Sequence, residues 1–225
     1  MSKILRDVSR GGIFYAESEG RTLGETPRHV RNLRYLLEPL EVWLADDPLA
    51  LVGGNMYVHY VPGSQDYNLS PDVMVVRGVS KTPDRRRYQI WEDGKGPDLV
   101  IELTCASTRE EDVEDKMEVY RDLKVQEYFL FDPYGEYLKP RLQGYRLHQG
   151  RYVRIRALGG RLPSDVLKLH LRGQGELLRL YDPATGKLLR TPPEERQALH
   201  AAEAEIERLR RENEELRRRL KAPPR

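Results

Sequence analysis

Residues 98–104 read DLVIELT, a run of strand length that is apolar except for Asp98, Glu102 and Thr104, and Glu102 stands between Ile101 and Leu103. Short apolar runs bounded by polar residues are typical of strands buried in a sheet. A carboxylate inside such a strand costs free energy unless it is paired, hydrogen-bonded or bound to a metal. Glu102 is therefore a candidate functional residue, although strand alternation could also simply turn it toward solvent.

The segments on either side of this run alternate between helix and strand patterns. Residues 28–46 have apolar side chains at helical spacing, and Pro39 is expected to kink or split that helix. Residues 107–123 predict a second helix with Ser107 or Thr108 as its N-cap. Strand patterns occur at 50–61, 73–76, 85–92 (exposed, with a turn at Asp93-Gly94), 127–131, 140–158 and 166–182. This order predicts an α/β fold with a mixed β-sheet core flanked by helices.

A second acid, Asp72, stands directly before the apolar strand 73–76. Ser70-Pro71-Asp72 is also ordinary turn chemistry, so Asp72 alone favours a structural role. If Asp72 and Glu102 converged on one sheet edge, they would form an oxygen-rich site suited to Mg²⁺ or Mn²⁺. Cleavage of a phosphodiester also benefits from a nearby lysine, and Lys116 in the following helix is the candidate. A plain surface lysine is the alternative.

These residues resemble a known family of nucleases. Ser70-Pro71-Asp72-Val73 followed by Asp98 to Thr104 is similar to the signature of the PD-(D/E)XK nuclease superfamily. A longer ordered series resembles the bacterial Uma-type restriction endonuclease family (domain of unknown function 820). The resemblance covers residues 25–185, and its positions are Glu25 to His29, Ile101, Ser107-Thr108, Lys116, Tyr120, Val125, Glu127 to Phe129, Phe131 to Pro133 and Leu142 to Tyr145.

The resemblance implies a restriction-endonuclease-like core with two acidic metal ligands and an active-site lysine. The two acids fall on Asp72 and Glu102, and the carbonyl of Leu103 would complete the protein ligands of Mg²⁺ or Mn²⁺. The chain departs from the superfamily at position 104, where Thr104 stands in place of lysine. The family's lysine has moved to the next helix, which implies Lys116 here.

Further residues are candidates for supporting roles. The superfamily often adds an acid from its first helix, which implies Glu25 here, and His29 would share its face if both are helical. His29 could equally be a surface or capping residue. Arg85, Arg86 and Arg87 could contact a DNA backbone, or lie on a solvated hairpin.

The last part of the chain has a heptad pattern. Apolar residues after Pro192-Pro193 follow spacings of three and four, with Leu199, Ile206, Asn213 and Leu220 at a positions and Ala202, Leu209 and Leu216 at d. Glu205 and Glu212 at g face Arg210 and Arg217 at e, which favours a parallel homodimer through residues 194–221. A solvated single helix is the alternative.

Composition excludes several other classes of protein. Lys and Arg total 38 against 36 Asp and Glu, so the chain is no histone-like polycation. Its single cysteine, Cys105, excludes an internal disulfide and a Cys-only zinc site. No apolar run of membrane-spanning length occurs, and MSKILRDVSRGG lacks the apolar run of a signal peptide, so we expect a soluble cytoplasmic protein without membrane contact.

The sequence thus predicts an N-terminal extension (1–26), a nuclease-like domain (27–190) and a C-terminal coiled-coil helix (191–225). The expected function is metal-dependent endodeoxyribonuclease activity of a dimer on DNA. Two alternatives remain open: a catalytically inactive nuclease-like module that binds nucleic acid or protein, and a metal-dependent enzyme for another phosphoester.

Overall fold

The computed structural model describes residues 26–82, 85–104 and 111–221. Residue contacts divide the chain into two units, one that ends at Leu189 and one that begins at Arg190. The first unit contains the strands, and the second consists mainly of one long helix.

Within those ranges the chain forms four α-helices and thirteen strands. The helices are α1 (Pro27–Trp43), α2 (Ile90–Asp93), α3 (Lys116–Asp122) and α4 (Pro192–Lys221), and a π-helical turn (Glu111–Asp115) leads directly into α3. The strands are β1 (Ala50–Gly53), β2 (Val58–His59), β3 (Asn68–Leu69), β4 (Val73–Arg77), β5 (Tyr88–Gln89), β6 (Leu99–Leu103), β7 (Glu127–Phe131), β8 (Leu142–His148), β9 (Arg151–Arg154), β10 (Leu162–Pro163), β11 (His170–Gln174), β12 (Leu177–Asp182) and β13 (Lys187–Leu188).

The main sheet has six strands in the order β1-β4-β6-β7-β8-β9. Its central strands β6 and β7 are parallel, and the other neighbouring pairs are antiparallel. Both central strands are buried along their whole length, as expected for a parallel pair that is covered on both faces. The predicted α/β fold with a mixed sheet is therefore confirmed. Smaller sheets join β10 to β13, and β3 to β2 and β5.

Alternation along β6 distributes its side chains between two cores. Leu99, Ile101 and Leu103 lie on one face, in the core that includes residues of α1, β11 and β12. Val100 lies on the other face, in the core that includes Tyr120 of α3. Glu102 shares this second face, so the acid lies under α3.

Helix α1 begins at Pro27, where a missing backbone donor costs nothing. The hydroxyl of Thr26 accepts a hydrogen bond from the His29 backbone N–H (3.2 Å) and caps the helix. The sequence predicts that Pro39 kinks or splits this helix, and a split is wrong because α1 continues through Pro39 to Trp43. Leu36 and Leu40 are fully buried on either side of Pro39, and their burial offsets the one backbone hydrogen bond that proline cannot make.

One sequence prediction differs from the structure, and another falls outside the described residues. Residues 85–92 contain only the short buried strand β5, and the chain then turns into α2, which ends at Gly94 in the left-handed conformation (φ 73°). An exposed strand is not formed because Tyr88 is fully buried and its hydroxyl donates to the Lys95 carbonyl (2.9 Å). The predicted N-caps Ser107 and Thr108 lie outside the described residues.

The second unit is built on α4, whose 30 residues span about 45 Å. The carboxylate of Glu194 accepts a hydrogen bond from the Thr191 backbone N–H (2.7 Å), which is half of a capping box. Among the helices of the described ranges, none combines the length and the apolar content that a bilayer crossing requires.

Candidate active site

Asp72 and Glu102 meet at one end of the main sheet. Strands β4 and β6 are antiparallel with Val73 opposite Ile101, so the residue before β4 lies beside the residue after Ile101. The Asp72 N–H donates to Glu102 Oε2 (3.3 Å), and the Leu103 N–H donates to Asp72 Oδ2 (2.6 Å). Strand pairing alone therefore holds the two carboxylates and the Leu103 backbone in one place.

Glu102 is almost completely buried, with 1% of its surface exposed. Helix α3 supplies two partners to the same carboxylate oxygen: the Tyr120 hydroxyl donates to Oε1 (2.8 Å), and Lys116 Nζ lies 3.4 Å from it. A carboxylate at this depth is stable only with such compensation, because burial removes its hydration.

Lys116 is itself buried, with 9% of its surface exposed. It is not a surface lysine, because its ammonium faces Glu102 beneath α3. The π-helical turn at Glu111–Asp115, a feature often found at functional sites, directly precedes it.

Tyr120 is a site residue that the sequence analysis did not assign. It follows Lys116 by four residues, so both side chains emerge from the same face of α3. Apart from the position of Tyr120 in the series that resembles the Uma-type family, that spacing was the only signal in the sequence. Its meaning depended on knowing that this face of α3 packs over Glu102.

His29 reaches the site from α1. Its Nε2 lies 3.2 Å from Asp72 Oδ1, and both side chains are largely shielded from solvent. The start of α1 is anchored to the loop after β7, since the Tyr134 hydroxyl donates to the Thr26 hydroxyl (2.9 Å) and Arg28 lies 4.4 Å from the centre of the Tyr134 ring. The capped start of the helix thus fixes His29 beside Asp72.

Thr104 occupies the position where the superfamily pattern has lysine. It is fully buried, and its hydroxyl has no hydrogen-bond partner within the described residues. Its backbone N–H donates to the Phe131 carbonyl (2.8 Å), which continues the pairing of β6 and β7. The cation beside Glu102 therefore comes from α3 and not from β6.

The loop after β7 is organised by Asp132, a fully buried acid. Burial alone would raise the pKa of Asp132, but backbone N–H donors of Tyr137, Leu138, Gly135 and Tyr134 outweigh it, and the pKa lies below its usual value. This loop carries Tyr134 to the start of α1.

Arg85 contacts residues outside the candidate site. It forms an ion pair with Asp93, and its guanidinium lies 5.7 Å from the centre of the Tyr88 ring. Arg87 Nε donates to Gln89 Oε1 (3.1 Å), and Arg86 is exposed. Of the remaining predicted site residues, Glu25 lies outside the described part of the chain.

The donor set of the site suits a hard cation. Two carboxylates and a backbone carbonyl are the oxygen ligands that Mg²⁺ and Mn²⁺ prefer. Within residues 26–82, 85–104 and 111–221, no three His, Cys, Asp or Glu side chains are grouped closely enough to hold a metal between them. Mg²⁺ in phosphate chemistry is commonly held by one or two carboxylates together with waters and substrate oxygens.

One solved structure and one family model are similar to this chain. The crystal structure of a protein from Anabaena variabilis ATCC 29413, titled a "putative nuclease belonging to DUF820", is similar at 14% identity and a TM-score of 0.48, over 66% of this chain and 79% of that one. No curated protein matches the chain. The model of the Uma2 family, described as "Putative restriction endonuclease", matches residues 15–174, which is well over half of the chain. The chain therefore belongs to the Uma2 family.

Proposed function

We propose that this protein is a metal-dependent endodeoxyribonuclease that hydrolyses phosphodiester bonds in DNA. One observation carries the proposal: Lys116 Nζ lies 3.4 Å from the buried carboxylate of Glu102, and Asp72 is hydrogen-bonded to the same strand end. Family membership supports nuclease chemistry, and these side chains are the types that such chemistry uses.

Asp72, Glu102 and the Leu103 carbonyl would hold Mg²⁺ or Mn²⁺. When bound, such an ion acts as a Lewis acid and lowers the pKa of a coordinated water. Glu25, from the family resemblance, is proposed as a further acid near the metal.

Lys116 would act on the reacting phosphate. Phosphodiester hydrolysis adds negative charge to the non-bridging oxygens, and a preorganised ammonium stabilises that charge without reorientation at the moment of reaction. The same ammonium could orient the attacking water. Tyr120 holds the Glu102 carboxylate, and His29, which lies 3.2 Å from Asp72, would also contact the nucleic acid.

A homodimer through residues 194–221 is part of this proposal. Leu199, Ile206, Leu209 and Leu216 are each about half exposed on a helix that is otherwise mostly polar. A second copy of the helix, packed parallel to the first, would bury this row of a and d residues, which we call the seam. It would also bring Glu205 and Glu212 toward Arg210 and Arg217 of the other chain. Two protomers would allow each site to address one DNA strand.

A metal-dependence experiment tests the catalytic proposal. We expect nicking of supercoiled plasmid in Mg²⁺ or Mn²⁺ and none in EDTA. Lys116→Ala should lower the rate by at least about 100-fold, because removing one charge-stabilising group commonly costs that much. The exposed Lys187 provides the control, and Lys187→Ala should cleave like the wild type. Equal rates for the two variants would contradict the role of Lys116.

A non-catalytic nucleic-acid-binding module is the second candidate. The observation that favours it is that both Glu102 oxygens already have partners within the protein, from Tyr120 and Lys116 at Oε1 and from the Asp72 backbone at Oε2. These contacts would stabilise the fold without any metal. Binding of DNA without cleavage in either metal, by protein with a native circular dichroism spectrum, would favour this candidate.

A further inference from the structure

One segment of the chain is strongly basic. Residues 137–164 contain seven Lys and Arg residues and no Asp or Glu, whereas the whole chain has a formal charge of +2. All other residues together therefore carry a formal charge of −5. The segment comprises β8, β9 and the loops on either side of them.

Three of the seven side chains serve the fold. Arg141 donates to the Asp132 and Pro133 carbonyls, Arg146 pairs with Glu127 (2.8 Å), and Arg161 lies over the Tyr181 ring (4.0 Å). The other four are exposed, and their side chains form no ion pair or hydrogen bond with any described residue: Lys139, Arg151, Arg154 and Arg156.

Strand pairing relates this segment to the acids of the site. Glu102 is opposite Leu130 of β7, and Leu130 is opposite Gln143 of β8. Directly paired residues project on the same side of a sheet, so Gln143 lies on the face of Glu102. Three strand spacings separate β6 from β9, which is roughly 14 Å across the sheet.

The same reasoning places two arginines on this face. Tyr145, two residues after Gln143, is opposite Arg154 of β9. The Ile155 N–H donates to the Gly144 carbonyl (2.8 Å), so the pairing continues beyond Arg154. Arg156 follows by alternation on the same side.

The surroundings leave both guanidinium groups available for an anion. A cleft of about 450 Å³ adjoins this strand, and Arg154 and Arg156 line it together with Gln143. The acid nearest in sequence after the segment, Asp165, pairs with Arg146 through its carboxylate (2.9 Å). No acid within residues 137–164 competes for Arg154 or Arg156.

We propose that Arg154 and Arg156 bind the phosphate backbone of DNA whose scissile bond lies at Asp72 and Glu102. This inference rests on the proposed function and names the surface that holds its substrate. Guanidinium groups bind phosphate through paired hydrogen bonds, and such contacts position DNA without reading its sequence. The distance of roughly 14 Å corresponds to about four base-pair rises from the cleaved bond. This surface is better suited than Arg85, whose charge is neutralised by Asp93.

Salt-dependent binding of a fluorescein-labelled DNA duplex tests the proposal. The full chain, its Arg154→Ala/Arg156→Ala variant and an Arg172→Ala/Lys187→Ala control are titrated in EDTA over a series of KCl concentrations. The control removes the same charge from exposed residues of β11 and β13. We expect the Arg154/Arg156 variant to bind at least about tenfold more weakly, with a slope of log K against log salt smaller by about 1.8, since each neutralised phosphate contributes about 0.9. The control should retain the wild-type slope.

Hydrolysis of bis(p-nitrophenyl) phosphate separates this inference from the proposed function. That small ester cannot reach Arg154, so the Arg154/Arg156 variant should hydrolyse it at the wild-type rate while cleaving DNA more slowly. A slope and affinity equal to those of the control would overturn the inference, as would wild-type protein that binds anionic vesicles but no DNA. DNA binding could depend on Arg154 and Arg156 while the wild type hydrolyses neither substrate. That result would support the DNA-binding surface and reject the proposed nuclease activity.

Discussion

At the scale of single residues, the site depends on how a buried carboxylate is compensated. The Glu102 carboxylate accepts a hydrogen bond from the Tyr120 hydroxyl and pairs with the Lys116 ammonium. Both partners lie on one face of α3. Because the lysine comes from a helix, position 104 is free to carry Thr104, which is small enough to be fully buried at the end of β6. The chemistry expected of lysine is thus separated from the strand that supplies the acid.

Tyr120→Phe should lower the cleavage rate by about 10- to 100-fold, because loss of a hydrogen bond that orients a metal ligand typically costs that much. The matched control is Tyr152→Phe, since the Tyr152 hydroxyl is another largely buried donor on this side of the sheet but donates to the Val125 carbonyl (2.9 Å). Both variants should lose about 1 kcal/mol of unfolding free energy. Rates and urea unfolding are measured together, and equal cleavage by the two variants would show that Tyr120 is only structural.

At the scale of secondary-structure elements, the segments that place the acids could be predicted from sequence. Strands β4, β6 and β7 are mostly apolar runs, each with one charged residue, and α1 and α4 are long amphipathic patterns. The short helix α2 could not be predicted, because four residues carry too little periodicity and its start depends on the burial of Tyr88. Tyr120 was missed for a related reason: its partner lies 18 residues away on a strand.

Asp132, in the loop between β7 and β8, should make the free energy of unfolding depend on pH in the acid range. The pKa of Asp132 is lower in the folded protein than in the unfolded chain, so its stabilising contribution is full above the unfolded value, about 3.9, and is lost as pH falls through the folded value. Asp132→Asn should lower the free energy of unfolding by about 2 kcal/mol at neutral pH and should flatten its decline in acid. Urea unfolding at a series of pH values measures both effects. Asp165→Asn, at an exposed acid, is the control, and a wild-type acid response in Asp132→Asn would refute this role.

The seam of α4 predicts the oligomeric state. Leu209→Ala/Leu216→Ala removes two d-position side chains, and we expect it to convert a dimer to a monomer at micromolar protein concentration. Glu207→Ala/Glu214→Ala changes two outward-facing residues on the same turns and should remain dimeric. Sedimentation velocity of the full chain distinguishes the species. A monomeric wild type, or a dimer that persists in the Leu209/Leu216 variant, would exclude dimerisation through this seam.

At the scale of the whole molecule, charge is distributed unevenly although its sum is close to zero. The acids meet where β4 begins and β6 ends, and Arg154 and Arg156, in and just after β9, project from the same face of the sheet. The net charge of +2 concealed this arrangement, because a basic segment is offset by acids elsewhere. Sequence alone could identify the acid-free segment, but only the strand order relates it to Glu102.

We propose that Asp72, Glu102 and Lys116 together form one metal-dependent site for phosphodiester hydrolysis. Comparison of Glu102→Gln with Glu127→Gln tests it most directly, because both glutamates are about 1% exposed and lie on the neighbouring strands β6 and β7. Glu127 accepts hydrogen bonds from Arg146 and from the Ser164 hydroxyl on the face of the sheet opposite Glu102. Its replacement therefore measures how far the loss of a buried carboxylate alone destabilises the fold.

The measurement is the rate of plasmid nicking per folded molecule as a function of Mg²⁺ and Mn²⁺ concentration, with folding followed by circular dichroism. We predict that Glu102→Gln remains folded and loses at least about 100-fold in rate, whereas Glu127→Gln cleaves like the wild type whenever it is folded. Metal-dependent nicking that persists unchanged in Glu102→Gln would contradict the account and place the activity elsewhere.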